Sequence, residues 1–283
     1  MIPAASEFFI DVPHHGRLRG LAWEPERPRG RVGLLHGLGD HAARYEHVAR
    51  ELARRGFAAE ALDLPGHGRS YGQRGHVGSW EEYRNAVDLW LARWDHLPAG
   101  DARALLGHSM GALVVLDAAL RAPDPLAALV LSAPPFELVL RPSMLKVRAA
   151  QVAARFWPGF SQGSTILPSM LSRDQEVVRA HAQDPLVHYR ISARLFFEFQ
   201  SARGALTRRA ADLPVDTLIL HGGADPIANV EGSERWARRA PDGRVTCRLY
   251  PGLLHEVLNE VERARVLVDL GDWLDQEMPA LRV

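Results

Sequence analysis

Three features of these 283 residues predict an α/β protein with one mostly parallel sheet, helices on both faces and a helical insertion. Short apolar runs alternate along the chain with segments of helical periodicity. One connection between two such runs takes ~80 residues, where a crossover with its helix needs about a dozen to thirty. A serine framed by glycines stands where one apolar run passes directly into a helix-compatible stretch.

The elements follow in order. Val32–Leu35 and Phe57–Leu62 flank a segment in which Tyr45, Val48, Ala49, Leu52 and Ala53 recur at helical spacing until Gly56 stops it, a strand–helix–strand unit. A second helix starts near Ser79, where Ser79 and Glu82 have capping-box spacing. Trp80, Tyr83, Val87, Trp90, Leu91 and Trp94 stripe one of its faces, and Pro98 ends it. Arg103–Leu106, Ala127–Leu131 and Val215–Leu220 are apolar nearly throughout, as strands covered on both faces must be, and form the sheet centre. Arg244–Tyr250 alternates instead, with Val245, Cys247 and Leu249 on one side, so it belongs nearer an edge. A helix over Asn259–Gln276 closes the pattern, with right-handed crossovers between parallel strands.

The long connection is read as a cap over residues 134–213, with residues 1–133 and 214–283 as the core. It is bounded by Pro134, Pro135 and Pro214 and holds six of the nine phenylalanines. Phe136, Phe156, Ile166, Leu167 and Met170 are the expected apolar lining for a substrate.

Composition narrows the function. With 47% hydrophobic and 24% charged residues the chain is globular, and its single cysteine, Cys247, supplies no disulfide and reads as a buried core thiol. Thirty-four basic residues balance thirty-four acidic ones, which removes the footprint of a nucleic-acid binder and points to a small-molecule partner. That neutrality is a cancellation: Ala133–Pro214 carries +5 and the remainder −5. The basic cap is therefore expected to aid approach to anionic lipid surfaces. The N-terminal stretch lacks a basic region and contains Glu7 and Asp11, and the longest uncharged run, Phe156–Ser172, is broken by prolines, glycines and serines. A cytoplasmic protein without a membrane span is expected.

The chemistry lies in Gly107-His108-Ser109-Met110-Gly111. In the context of strand, sharp turn and helix, GxSxG raises a serine oxygen above the sheet, so Ser109 is the nucleophile candidate. A serine hydroxyl needs a base and a group that orients the base. In this topology the order is serine, acid, histidine. Asp225 in HGGADP follows a central strand, and His255 in YPGLLHEVLNE follows the last strand. Asp216 and Asp242 are rivals for the acid, the first inside a strand and the second in a polar turn. Backbone N–H groups of Met110 and of Leu38, in His36-Gly37-Leu38-Gly39-Asp40, are the expected donors to a developing oxyanion. Asp40 is expected to cap the next helix, Asp184 to cap a helix of the cap, and His108 to pack under the elbow. His36 and His221, each before a glycine at a strand end, are expected to be structural, with no metal.

LLHGLGDHAARY, LDLPGHGRSYGQRGHV, GHSMGA, HGGADP and YPGLLHEVLNE, in this order, resemble the monoacylglycerol lipase and lysophospholipase branch of the serine α/β-hydrolases, a serine aminopeptidase-type hydrolase domain. The resemblance spans nearly the whole chain outside the cap. It implies the α/β-hydrolase fold with an eight-stranded core, a helical cap, no cofactor, and a triad on Ser109, Asp225 and His255. It implies cleavage of single-chain lipid esters through an acyl-serine intermediate, with monoacylglycerol lipase first and lysophospholipase or broad carboxylesterase as alternatives. Asp40 stands where many relatives carry Glu. An aminopeptidase would need a buried carboxylate for a free amino group, for which the cap offers Glu137, Glu198 and Asp184. A non-catalytic ligand receptor on the same fold is the remaining competitor.

Overall fold

The computed structural model describes residues 4–96, 102–122, 126–139 and 144–279, and Pro98 lies outside these. The chain opens with a hairpin not predicted from the sequence, β1 (Ser6–Val12) and β2 (Gly16–Trp23). Its signal is the inward alternation of Phe8 and Ile10 ahead of a turn in which His14 and Gly16 take positive φ. The first predicted unit follows as β3 (Arg31–Leu35), α1 (Glu46–Arg54) and β4 (Ala58–Leu62).

Helix α2 (Glu81–Trp94) begins without the expected capping box. Glu82 Oε1 accepts the Gly78 N–H at 2.6 Å, and the Trp80 N–H goes at 2.9 Å to Glu198 of the insertion, a partner that only the tertiary fold supplies. Next come β5 (Arg103–His108), α3 (Met110–Ala119) and β6 (Ala128–Ser132). The insertion holds α4 (Met144–Phe156), β7 (Ser161–Gly163), α5 (Gln175–Gln183), β8 (Arg190–Ser192) and α6 (Ala193–Arg208). The chain then returns as β9 (Thr217–Gly222), α7 (Val230–Ala237), β10 (Val245–Tyr250) and α8 (Arg263–Glu277).

Eight strands form one sheet in the order β1-β2-β4-β3-β5-β6-β9-β10, parallel from β4 to β10 and antiparallel at β1–β2 and β2–β4. As its alternation predicts, β10 lies at the edge. Alternate residues of the central strands feed two cores. Leu105, Leu129, Leu131 and Ile219 pack with residues of α2, α3 and α6 on one face. Leu106, Val130, Leu218 and Leu220 pack with residues of α1 and α8 on the other. A strand covered twice has no position left for water, which is why these runs are apolar throughout.

Glu60 breaks that rule in the middle of β4. Its carboxylate is fully buried and receives Arg31 at 2.8 Å, Arg93 at 2.5 Å, and the indole N–H groups of Trp90 and Trp94 at 2.7 and 2.9 Å. Burying a charge is tolerated only with such pairing and hydrogen bonding. Because β3, β5, β9 and β10 run parallel, their carboxyl ends deliver four loops to one edge of the sheet, where open α/β sheets place ligands. No helix among the described residues is long and apolar enough to cross a membrane.

Candidate active site

β5 ends at His108 and α3 begins at Met110, leaving Ser109 alone between them at φ 53°, ψ −118°. A positive φ on a residue with a Cβ costs about 1–3 kcal/mol and persists because strand and helix fix both ends of the turn. The flanking glycines permit it sterically. A Cβ on Gly107 would stand 2.3 Å from the Gly111 carbonyl oxygen, and one on Gly111 would stand 2.4 Å from that of His36.

Ser109 Oγ lies 2.9 Å from His255 Nε2, and His255 Nδ1 lies 2.7 Å from Asp225 Oδ2. The carboxylate only accepts, so Nδ1 carries the proton and Nε2 turns its lone pair to the serine hydroxyl. The loops that carry acid and base are tied to each other, Gly223 N–H to Tyr250 O at 2.8 Å and Ala224 N–H to Leu253 O at 3.0 Å. Asp225 Oδ1 accepts the N–H groups of Ile227 and Ala228 at 2.8 and 3.0 Å. Burial alone would raise the pKa of Asp225 by disfavouring its charged form. The adjoining His255 and the hydrogen bonds from His221 and His255 outweigh it and hold the carboxyl well below the usual carboxylate range. Neither rival acid is near: Asp216 pairs with Arg244 at 3.1 Å, and Asp242 is exposed in its turn.

A cleft opens over Ser109. Leu38 and Asp40 wall it from the loop after β3, His255 and Glu256 from the loop after β10, and Ile166, Leu171, His181 and Tyr189 from the insertion. A Cβ on Gly37 would stand 3.2 Å from Ser109 Cβ, which measures how closely the loop after β3 approaches the serine. Met110 opens α3, so its N–H is one of the first-turn amides without a partner inside the helix. One side of the cleft is strongly polar. Arg44 binds Glu256 at 2.8 and 2.6 Å and Asp40 at 3.1 Å, and His181 meets the Tyr189 hydroxyl at 2.9 Å. Burial opposes ionisation of Glu256, but the Arg44 guanidinium prevails and holds it well below the usual range.

The serine aminopeptidase S33 description of a hydrolase family fits residues 26–262. The chain belongs to that family. It is 37% identical over 258 residues to a monoacylglycerol lipase of Mycolicibacterium smegmatis, covering 89% of this chain and 90% of the relative. It is 28% identical over 258 residues to a phospholipase of Bacillus subtilis, covering 90% and 98%. The solved structure of the Paleococcus ferrophilus monoacylglycerol lipase superposes with a TM-score of 0.82 at 29% identity, covering 97% of this chain and all of that one. The fold is that of the α/β-hydrolases.

In this S33 hydrolase the structure brings Ser109, Asp225, His255, Leu38 and Met110 to one place. Of the five cap residues expected to line a substrate, Ile166 alone borders the cleft. Phe136 is buried flat against Trp236, ring centroids 4.6 Å apart, away from the serine. Phe156 and Leu167 face outward at 63% and 54% exposure, and half-buried Met170 lies outside the lining. Apolar character marked them, but direction along each element decided where they went.

Other expectations change too. Asp40 does not cap a helix, since its oxygens serve the His41 N–H, Tyr45 and Arg44. Asp63 does that work by accepting the Ala42 N–H at 2.7 Å. Asp184 stands at the C-terminal end of α5, whose N-cap is Asp174, and binds His41 at 2.8 Å. His108 is buried against Ser132 and His255. His36 bonds Gly37 O and the Leu64 N–H. Cys247 is half-buried beside the core, its thiol pushed up to about 11 by burial. His181, Tyr189, Arg44 and Glu256 were not singled out from the sequence. Arg44 and His181 sit among other polar residues in HAARYEHVAR and RAHAQD and carry no local signal, while Tyr189 and Glu256 each only follow a histidine.

Proposed function

We propose that this chain is a serine ester hydrolase of single-chain lipids, a monoacylglycerol lipase, with Ser109 as nucleophile, His255 as base and acid, and Asp225 as orienting group. The observation that carries this is the 2.9 and 2.7 Å relay from Ser109 to Asp225, opening on a cleft with one apolar and one hydroxyl-binding side. Ser109 Oγ attacks the ester carbonyl as His255 Nε2 takes its proton, and the oxyanion is held by the N–H groups of Met110 and Leu38. His255 passes the proton to the departing alcohol. Water, deprotonated by the same ring, then cleaves the acyl-serine. Ile166 and Leu171 offer apolar surface to an acyl chain, at about 0.8 kcal/mol per buried methylene. The Tyr189 hydroxyl and the His181 ring, on the wall that the insertion supplies, offer hydrogen-bonding partners to a glycerol. No cofactor enters these steps.

A phospholipase or lysophospholipase is the second reading, supported by the Bacillus relative. Aminopeptidase action is disfavoured because the acids it would use are engaged: Glu198 with the Trp80 N–H, Asp184 with His41, and Glu137 with Arg235. In this reading residues 134–213 act as a cap on a core of residues 1–133 and 214–283. The cap also meets lipid surfaces, through Phe156, Trp157 and Phe160, exposed at 63%, 70% and 54% beside Arg155.

Purified protein assayed on monoacylglycerols, lysophosphatidylcholine and aminoacyl anilides decides between these readings. Monoacylglycerol cleavage lost in Ser109→Ala supports the first, and faster anilide cleavage overturns it. Equal binding of Ser109→Ala to anionic and zwitterionic vesicles removes the part assigned to the basic charge of the cap, and binding to neither removes the lipid-surface part altogether.

A further inference from the structure

We propose that His221 is a positioning residue for the acyl transfer: it donates its Nε2–H to Asp225 Oδ2, the oxygen that also receives His255 Nδ1–H, and so fixes the carboxylate in line with His255 and Ser109. The inference rests on the reading of Ser109, His255 and Asp225 given above.

His221 is fully buried near the end of β9. Its Nε2 lies 3.1 Å from Asp225 Oδ2 and 3.1 Å from the Ala228 carbonyl oxygen. Both atoms only accept, so Nε2 carries a hydrogen. In the neutral ring Nδ1 then accepts from the Ser233 hydroxyl on α7, 2.8 Å away. Strand, helix and acid loop thus hold the imidazole on three sides.

Asp225 needs this second donor for a geometric reason. Its Oδ1 is fixed by two backbone amides, but a carboxylate held through one oxygen can still rock about it. His255, on a separate loop, is the group to be oriented and cannot serve as its own reference. A donor on β9, rooted in the sheet, holds Oδ2 whether or not His255 has moved. It also shares the charge of Oδ2, so the acid stabilises the His255 imidazolium without binding it so strongly that the proton is withheld from the leaving alcohol. A histidine that only filled space would need neither the shared oxygen nor a defined tautomer.

The test compares His221→Gln with His221→Asn in the full-length protein. Glutamine places an amide N–H where Nε2 stood, whereas asparagine places one where Nδ1 stood, facing Ser233 and out of reach of Asp225. Both are polar and of similar bulk, and thermal unfolding monitors their folding. With a soluble p-nitrophenyl ester, His221→Asn is expected to lose about 10- to 100-fold in kcat at a KM within threefold of wild type. The acid limb of its kcat/KM profile moves to higher pH by about half a unit, because Oδ2 now serves one donor. His221→Gln stays within about threefold of wild type. Equal kcat values and superimposable pH profiles for the two variants overturn the inference. Those results with an active wild type and an inert Ser109→Ala leave the acyl-transfer reading standing. A wild type no faster than Ser109→Ala overturns both.

Discussion

The backbone N–H of His188, in the insertion, donates to the carbonyl oxygen of Gly39 at 2.9 Å, so the loop that carries Leu38 is tied to the insertion. Two residues on, His41 Nε2 donates to Asp184 Oδ2 at 2.8 Å, a second tie from the same segment. The proposed oxyanion donor thus depends on an element some 150 residues away in sequence for its position.

Cutting one of these ties should cost rate. Asp184→Ala removes the acceptor for His41 and loosens the Leu38 loop, and a donor displaced from the developing oxyanion loses part of an effect worth about 100- to 1000-fold. A drop in kcat of about tenfold is expected, with thermal unfolding changed little, in steady-state kinetics on a soluble ester. An unchanged kcat would show that the loop holds itself.

Strain at Ser109 should appear as stability when it is released. At φ 53° an alanine keeps the clash of a Cβ with its own backbone, whereas glycine removes it. Ser109→Gly is expected to be more stable than Ser109→Ala by about 1 kcal/mol in urea unfolding, although both are inactive. The reverse order would mean that the turn is unstrained.

Glu60 offers a larger effect. Removing its carboxylate leaves Arg31, buried at 1% exposure, with Glu24 at 2.6 Å as its remaining carboxylate partner, and leaves two indole N–H groups without their acceptor. Glu60→Ala is expected to lose about 3–5 kcal/mol of stability by chemical denaturation, the usual cost of breaking a buried charge pair. A loss below about 1 kcal/mol would show that water replaces the carboxylate.

Acid should destabilise the protein through buried neutral histidines. Burial, reinforced by His255, pushes His108 down to about 4, and burial pushes His188 down to about 4, while burial also holds His67 well below its ordinary value. A depressed folded-state value means that the unfolded chain takes up protons first. Stability is therefore full above about pH 6.5 and falls as the pH drops toward about 4, with His108 alone contributing a slope of up to about 1.4 kcal/mol per pH unit. Partly exposed His188 adds less. Replacing His108 by Gln should flatten the fall between pH 6.5 and 4 in thermal melts, and an unaltered slope would assign it to other groups.

Much of this was legible in the chain because local rules suffice for it. Apolar runs covered on both faces announced β3, β4, β5, β6 and β9, and the alternation of Val245, Cys247 and Leu249 placed β10 at the edge. Ser109, Asp225 and His255 were legible because a strained strand-to-helix turn demands glycines at fixed spacing, and because strand ends in a parallel sheet come to one edge in a set order. The hairpin β1–β2 is less legible because Glu7, Asp11, Arg17 and Arg19 interrupt its apolar residues, so no continuous run marks either strand.

The tertiary structure alone decided which polar groups meet and which way the apolar ones turn. Phe136, Phe156, Leu167 and Met170 have the composition of a lipid pocket, yet only Ile166 among the five borders the cleft, because a side chain's direction depends on how its helix or turn packs. Asp225 owes its oriented carboxylate to His221 on β9 and to two amides of its own loop, and Glu60 owes its tolerance to donors from β3 and α2. Hydrogen bonds act over about 3 Å, while the donors to Glu60 lie 29 to 34 residues from it and His255 lies 30 residues from Asp225 and 146 from Ser109, so these pairings exist only once the chain has folded.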